Sequence, residues 1–515
     1  MLSASSQFHS RAKAAMRPLF WRCLMAFDRV FLPGVDFFTI GVSTIGGEDI
    51  IKGEGDVVQE WDKYQYSDYS NRLLSMEWQR QVDPVTSLSM AMADFEFDNH
   101  DKYFTPHQAN SPIKDYILPY RPVKLFAGFG NEAVPAFIGL TEKMPVIDEK
   151  RKTAKFHAID FFYSLMNRPL DETVMLENVR TDEAFDELLQ VAGLSATQYD
   201  LDLGFNIINF VYFEKGTKLG TAVGELLEAE MGRMYMDENG IIRFKNRQNF
   251  SSVPIYTFDK TNNIIDIQTK KQDEIYNVIE IIAQVREVQA KQKFWELQEA
   301  IVVPAGSSVE IWADFEDPVT TVDNPVYITS ATTSLFTANT EEDGSGTNDG
   351  TSITLTDIDK FAKSAKMIFT NGAAYALYIT TLELFATPAK IVKEIYVREQ
   401  DDVSIAKYDE RVLRIENNFI NNETEAQSKA KIMLADNSTY GDIQQVEVKG
   451  NFALQLDDPV SIEVDGVYDT YVITKILNRI MAGKFTQILS VKRKEFQTYF
   501  TIGVSTIGGD DVIAP

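Results

Sequence analysis

The chain has 515 residues, 44% of them apolar and 11% aromatic, enough material for roughly three or four packed domains and too much for one. Its 76 acidic side chains outnumber 50 basic ones, a net charge of −26, which argues against a general grip on duplex nucleic acid, where a basic surface must displace counterions. The one cysteine, Cys23, excludes an intrachain disulfide and a cysteine-based zinc site, and is read as a small buried apolar residue.

Residues 1–36 read as an N-terminal helix and strand, with Pro33-Gly34 as a turn. The segment SRAKAAMRPLFWRCLMAF superficially suits a secretory leader. Arg17 and Arg22 interrupt its apolar stretch, Pro18 lies within it, and no small-residue cleavage site follows, so an amphipathic helix packed on the body is the better reading. No apolar run approaches the roughly 18 residues that span a bilayer.

The decapeptide FTIGVSTIGG occupies 38–47 and returns at 500–509, each copy followed by two acidic residues and aliphatics. Glycine punctuation among Thr, Ile and Val favours an extended segment over a helix. Gly46-Gly47 lacks the G-K-[ST] ending of a phosphate loop. Equivalent docking sites and a remnant of duplication both account for the two copies, and both readings stay open.

Residues 37–165 are assigned to a first β-barrel. SLSMAMADFEFDN alternates over Leu88, Met90 and Met92, then over Phe95 and Phe97, and this phase break near Ala93-Asp94 predicts a bulge. Val123, Leu125 and Ala127, then Phe137, Ile138 and Leu140, and then Phe156 and Ala158 mark further short strands.

Residues 166–250 are read as a small α/β domain. Phe185, Leu188, Leu189 and Ala192 follow helical spacing after a Thr181 cap, with Gly193 as the stop. Leu219, Val223, Leu226 and Leu227 mark a second helix ending near Gly232. Asn239-Gly240 is the turn of a hairpin.

Residues 251–290 and 396–495 are assigned to a second β-barrel, interrupted by an inserted sandwich-like β module at 291–395. Asn422 is the expected cap of a helix within the second part. Asp457-Asp458-Pro459 is a turn into the strand PVSIEV. Val446, Val448, Val472, Ile473, Ile476, Phe485, Ile488, Leu489 and Val491 supply the strand alternation around it. Within the module, EEDGSGTNDGTS at 341–352 is too polar and glycine-rich to pack and is expected to be a mobile loop. Its carboxylates suit Ca²⁺ chemically but lack calcium-loop spacing, so a solvated tip is the plainer reading. Residues 496–515 form a C-terminal extension carrying the repeat. The fold class expected is mainly β with α/β insertions: two tube-like antiparallel β-barrels, a small α/β domain and the inserted module.

Catalytic motifs do not emerge. His9, His100, His107 and His157 match no zinc-protease spacing. His100 and His107 with Asp98 and Asp101 could make a metal site, although two histidines in one polar loop are more often solvated. No G-x-S-x-G elbow occurs. Among so many carboxylates nothing singles out a catalytic pair. No cofactor is implied. Trp295 and Trp312 in the module are candidate ligand contacts, weighed against the ordinary use of tryptophan in cores and interfaces.

Two regions resemble the tail-hub proteins of phages and prophages. One runs from FTIGVSTIGG through LSMAMADFEFDN to YRPVKLFAGF. The other is 379–493, where a Thr-Leu-x-Leu strand precedes D-x-x-S-I-x-x-Y-x-x-R, a helix and Leu-x-x-x-Asp-x-Val, at Ser404, Ile405, Tyr408 and Arg411 and then at Leu454, Asp458 and Val460. The resemblance covers about two-thirds of the chain and is a pattern of strand and turn residues. The insertion and the repeated ends depart from it.

The resemblance implies a non-enzymatic subunit with two tube-like barrels. Three such subunits would make a ring of six barrels that adapts a sixfold tail tube to a threefold tip and gates DNA passage. The implied partners are two further copies, distal tail and tube proteins, a tape-measure protein, tip fibre or receptor-binding proteins, transiting DNA and the host cell surface. The implied location is the virion tail tip, after assembly in the host cytoplasm. An acidic lumen would repel DNA rather than hold it. The competing readings are a receptor- or glycan-binding module, and a cell-wall hydrolase, for which no room is left after the second barrel.

Overall fold

The structure, a computed structural model, describes residues 5, 8, 19–27, 64–82, 88–246, 253–271, 275–328, 332–438 and 442–493. The expected N-terminal helix, the Pro33-Gly34 turn, both FTIGVSTIGG copies and the C-terminal extension lie outside these residues. The chain is mainly β, with helices confined to a few places. The first described strand, Leu19–Met25, places Cys23 in the core, where burial pushes its thiol well above the ordinary range.

One 14-stranded sheet dominates. Its path runs from Ile264–Lys271 through Asp442–Val448, Lys484–Arg493 and Val467–Met481 to Leu73–Val82. It continues through Ser89–Asp98, Thr153–Asp160, Glu132–Thr141, Pro122–Phe129, Leu19–Met25 and Ser67–Asp68. The strands expected in two separate barrels are therefore hydrogen-bonded into one sheet. The join is antiparallel and runs from Lys475↔Gln81 to Met481↔Ser75.

Each half of the sheet covers its own core. The first is built on aromatics: Phe95 stacks on Phe156 at 5.5 Å and Phe97 on Phe104 at 4.6 Å. The second is aliphatic, around Val446, Val448, Val460, Ile473, Leu489 and Val491. The 15-residue strand Val467–Met481 serves both. Tyr471, Ile473 and Ile476 enter the second core, and Ile480, beyond a register shift between Ile473 and Lys475, enters the first.

Strand Ser89–Asp98 corrects one expectation. It alternates without interruption, burying Ser89, Ala91, Ala93, Phe95 and Phe97, and no register shift falls at Ala93-Asp94. Met90 and Met92 share the opposite face with Asp94 and Glu96. Small residues take the core face because large neighbours fill it: Ala93 lies opposite Trp78, which stacks on Phe452 at 6.0 Å. On the other face Met90 and Met92 are half-buried, and Met90 lies where the sheet approaches a second layer of protein.

That layer holds helices α1 (Phe161–Met166), α2 (Thr181–Val191) and α3 (Leu219–Glu230). Phe185, Leu188 and Leu189 are buried in α2, which ends where Gly193 turns to φ +86. Leu219, Val223, Leu226 and Leu227 are buried in α3, which ends on left-handed Met231. Thr181 is not the cap of α2 but its first residue. Its hydroxyl donates to the buried Glu230 at 2.9 Å, while the Glu183 carboxylate accepts from the Arg180 amide at 2.9 Å.

Residues 278–288, grouped from sequence with the second barrel, pair elsewhere. Strand Val278–Val288 lies between Val412–Glu416 and the far end of the 24-residue strand Leu377–Gln400, in a separate eight-stranded sheet. Ile279, Ile281, Ala283 and Val285 pack in the same core as the helices above, with α5 (Glu423–Asn437) laid against them. Asn422 caps α5, its side-chain oxygen accepting from the Glu425 amide at 2.8 Å.

The near end of Leu377–Gln400 pairs with Gln292–Glu296, Ile301–Val303, Val319–Val322 and Leu335–Asn339. These strands face a three-stranded sheet of Ser308–Asp314, Ser364–Asn371 and Ile353–Lys360 across a core that includes Phe336, Met367 and Phe369. The segment 341–352 is a largely exposed run of turns and bends. Its tip is solvated but its base is fastened by buried Asn339, which accepts from the Glu341 amide at 2.9 Å and donates to Asn348 at 2.9 Å.

Candidate functional site

The join between the sheet halves is also where the α/β layer is fastened. The Asp237–Gly240 turn of the hairpin Arg233–Met236/Ile242–Lys245 closes on Gly240 at φ +83. From this turn Glu238 reaches Arg80 on Leu73–Val82 and accepts from Gln455 Nε2 at 2.5 Å. Arg233 of the same hairpin pairs with Asp457. Three regions of sequence thus meet around one largely buried set of charges: first sheet half, α/β hairpin and second sheet half. Buried charges hold together only as paired sets, so this cluster fixes the relative placement of the three.

The residues singled out by the family pattern fall into two places and not one. Leu454 and Val460 are buried in the second core. Asp458 accepts from the Gln455 amide at 2.8 Å, beside the charge cluster, and burial raises its carboxyl above the ordinary range. Ser404, Ile405 and Tyr408 lie on α4 (Asp402–Tyr408). The Ser404 amide donates to Asp401 at 3.0 Å and its hydroxyl to the Ser438 carbonyl. The Arg411 amide donates to Asn277 Oδ1 at 2.8 Å, and Asn277 Nδ2 donates to the Asp409 carbonyl at 2.8 Å. The conformation of 401–411 is therefore built around Asn277, which is fully buried. These are shaping roles, with no chemistry assembled.

Asn277, Arg80, Glu238 and Glu230 were not legible beforehand, since nothing local marks a polar residue that a distant partner will bury. Glu230 accepts from the Phe205 and Asn206 amides, each at 3.0 Å, and from Thr181. Asp160 is another. It caps α1 through the Tyr163 amide and accepts from the Ala91 amide, both at 2.7 Å, and burial pushes its carboxyl up to about 6.

The face of the large sheet turned away from the two cores separates charge. Leu73–Val82 and Ser89–Asp98 present Glu77, Asp94, Glu96 and Asp98, with Lys155 and His157 beside Asp94. Val467–Met481 and Lys484–Arg493 present Lys475, Arg479, Lys484 and Lys492. Arg479 and Glu77 pair across the join. Where this face meets α1 and α3 a cleft of about 430 Å³ opens, lined by Leu88, Met90, Phe162, Met166 and Gly220.

His100 lies 3.6 Å from Asp98 and 3.2 Å from Lys152, an ammonium that competes with a metal, and Asp101 is engaged by Arg72 at 2.8 Å. Among the described residues no group of three or more His, Cys, Asp and Glu is placed to hold a metal ion. Trp295 and Trp312 do not form one groove. Trp295 packs on the module core from a strand paired to Leu377–Gln400, whereas Trp312 is half exposed on the outer face of the three-stranded sheet.

No family model matches the chain, and no curated protein does. Among solved structures it is similar to the 43 kDa tail protein of prophage MuSo2 from Shewanella oneidensis, at 10% identity over 83% of this chain and 95% of that one, with a TM-score of 0.45. It is similar to a tail protein from Neisseria meningitidis at 9% identity, over 83% and 93% of the two chains, TM-score 0.47. It is also similar to the prophage tail protein gp18 from Listeria monocytogenes at 10% identity, over 84% and 94%, TM-score 0.42. No residue role is carried across from them.

Proposed function

We propose that this chain is a structural subunit of the hub at the distal end of a phage-type tail, acting as a trimer that adapts a sixfold tube to a threefold tip. The observation that supports this most directly is the pairing of two sheet halves within one polypeptide through Val467–Met481 and Leu73–Val82. Each half has its own core, so three chains would present six comparable units around an axis. The cluster around Glu238 would keep the two units of one chain at a fixed angle, as a closed ring requires.

The proposed neighbours are the distal tail and tube proteins, the tape-measure protein and tip fibre or receptor-binding proteins, in a virion assembled in the host cytoplasm. The reading includes no catalytic step and no cofactor. In it, the channel of the assembled ring is acidic, and like charge keeps transiting DNA from adhering.

Native mass spectrometry of the purified chain, followed by imaging of the assembled ring, tests the reading. A trimer with six sheet units about a channel is expected. A species that stays monomeric at tens of micromolar, or a ring whose lumen is neutral or basic, would overturn it.

A further inference from the structure

The outer face of the three-stranded sheet in the inserted module carries a pair of aromatic rings that the hub reading does not use. Strand Ser308–Asp314 turns Ile311 and Ala313 into the module core and Glu310, Trp312 and Asp314 outward. Trp312 is 50% exposed and Phe361, just beyond Ile353–Lys360, is 49% exposed. Their rings lie 6.0 Å apart and within 10° of parallel. Two large, stacked apolar rings are thus left half exposed to water, against the usual gain from burial.

The indole is held in place. Its Nε1 donates to Glu310 at 2.6 Å, and Glu310 is itself paired with Lys366 at 3.2 Å. The Lys366 ammonium lies 6.0 Å from the indole centroid and 4.0 Å from Asp359. The indole N–H and then Lys366 draw the Glu310 carboxyl below its ordinary range, so it is ionised near neutrality. A ring fixed by its own polar atom loses little freedom when something lies on it, which lowers the cost of binding.

We propose that Trp312 and Phe361 form a binding platform for a neutral pyranose of a cell-surface polysaccharide. The C–H face of a pyranose is apolar and flat enough to lie on the rings, while its edge hydroxyls donate to Glu310, Asp314 and Asp359 and accept from Lys366. The acidic rim disfavours anionic sugars. A cationic ligand meets Lys366 already beside the indole, and two stacked rings do not make the cage that encloses a quaternary ammonium. The proposal rests on the module alone and stands or falls separately from the trimeric hub.

The test is to screen the full chain on an array of neutral oligosaccharides, with polysialic acid and phosphocholine as anionic and cationic probes, and to measure the leading hits by calorimetry. At least one neutral glycan is expected to bind. Trp312→Ala and Phe361→Ala should each weaken it about tenfold or more, Trp312→Phe should retain part of the affinity, and Tyr120→Ala, exposed on the first sheet half, should change nothing. Unfolding curves of the variants exclude loss of fold as the cause. Absence of any neutral hit at millimolar glycan, binding of polysialic acid or phosphocholine alone, or unchanged affinity in a folded Trp312→Ala chain would overturn the proposal.

Discussion

Arg80 and Glu238 form an ion pair across the seam between the large sheet and the α/β hairpin, with their side chains only 11% and 8% exposed. Removing one partner leaves the other charge buried and unpaired. Glu238→Ala is expected to destabilise the chain by about 3–5 kcal/mol, read as a lower denaturation midpoint. The double replacement Arg80→Met with Glu238→Leu should recover much of that loss. A single Ala variant costing no more than an ordinary surface change would show that the pair does not organise the seam.

Glu230 supplies the acceptors for the Phe205 and Asn206 amides and for the Thr181 hydroxyl. Glu230→Ala strands those donors without water and is expected to cost about 3 kcal/mol or more in equilibrium unfolding. Amide exchange should accelerate at 205 and 206 before it does in the large sheet.

Asp160 gives a pH dependence with a defined sign. Its carboxyl titrates at about 6 in the folded chain against an ordinary 3.8, because burial disfavours the charge. The folded state therefore binds this proton more tightly than the unfolded state does. The stabilisation from this group is complete below about pH 3.8 and is lost as pH rises through about 6, a change of about 3 kcal/mol. Asp160→Asn removes the titration, so the stability difference between wild type and variant should change between pH 4 and pH 7. A constant difference across that window would contradict the assignment.

Gly450 sits at φ +76, and a side-chain carbon there would lie 2.7 Å from the Phe485 ring and 2.6 Å from Gln487 Cβ. Phe485 stacks on Phe452 at 3.8 Å within the first core, so the ring cannot retreat freely. Gly450→Ala should lower stability by about 2 kcal/mol or more through combined strain and overpacking. Gly466, also left-handed but with open space around it, should show the backbone strain alone and a smaller loss.

Local elements were readable where their signals were local. The helix carrying Phe185, Leu188 and Leu189 declares itself by spacing, its end by Gly193, the hairpin by Asn239-Gly240 and the start of α5 by Asn422. Reading failed where the meaning of a residue depended on what lay across from it. Met90 and Met92 look like core but occupy the other face, because Trp78 leaves room only for alanine beneath it. Thr181 looks like a cap but serves Glu230. Of the two tryptophans marked as ligand contacts, only Trp312 is on an exposed face, and Phe361 beside it carries no signal of its own in the sequence.

Strand periodicity, turn chemistry, helix spacing and an acidic surface follow from residue type and order alone, because each is set within a few residues along the chain or by simple addition of charge. Which strands join is a different matter. That Val467–Met481 pairs with Leu73–Val82, that Val278–Val288 leaves the large sheet for another, and that Arg80 finds Glu238 depend on contacts between segments far apart in sequence. Their free energy exists only once the whole chain has folded, so tertiary structure alone decided them.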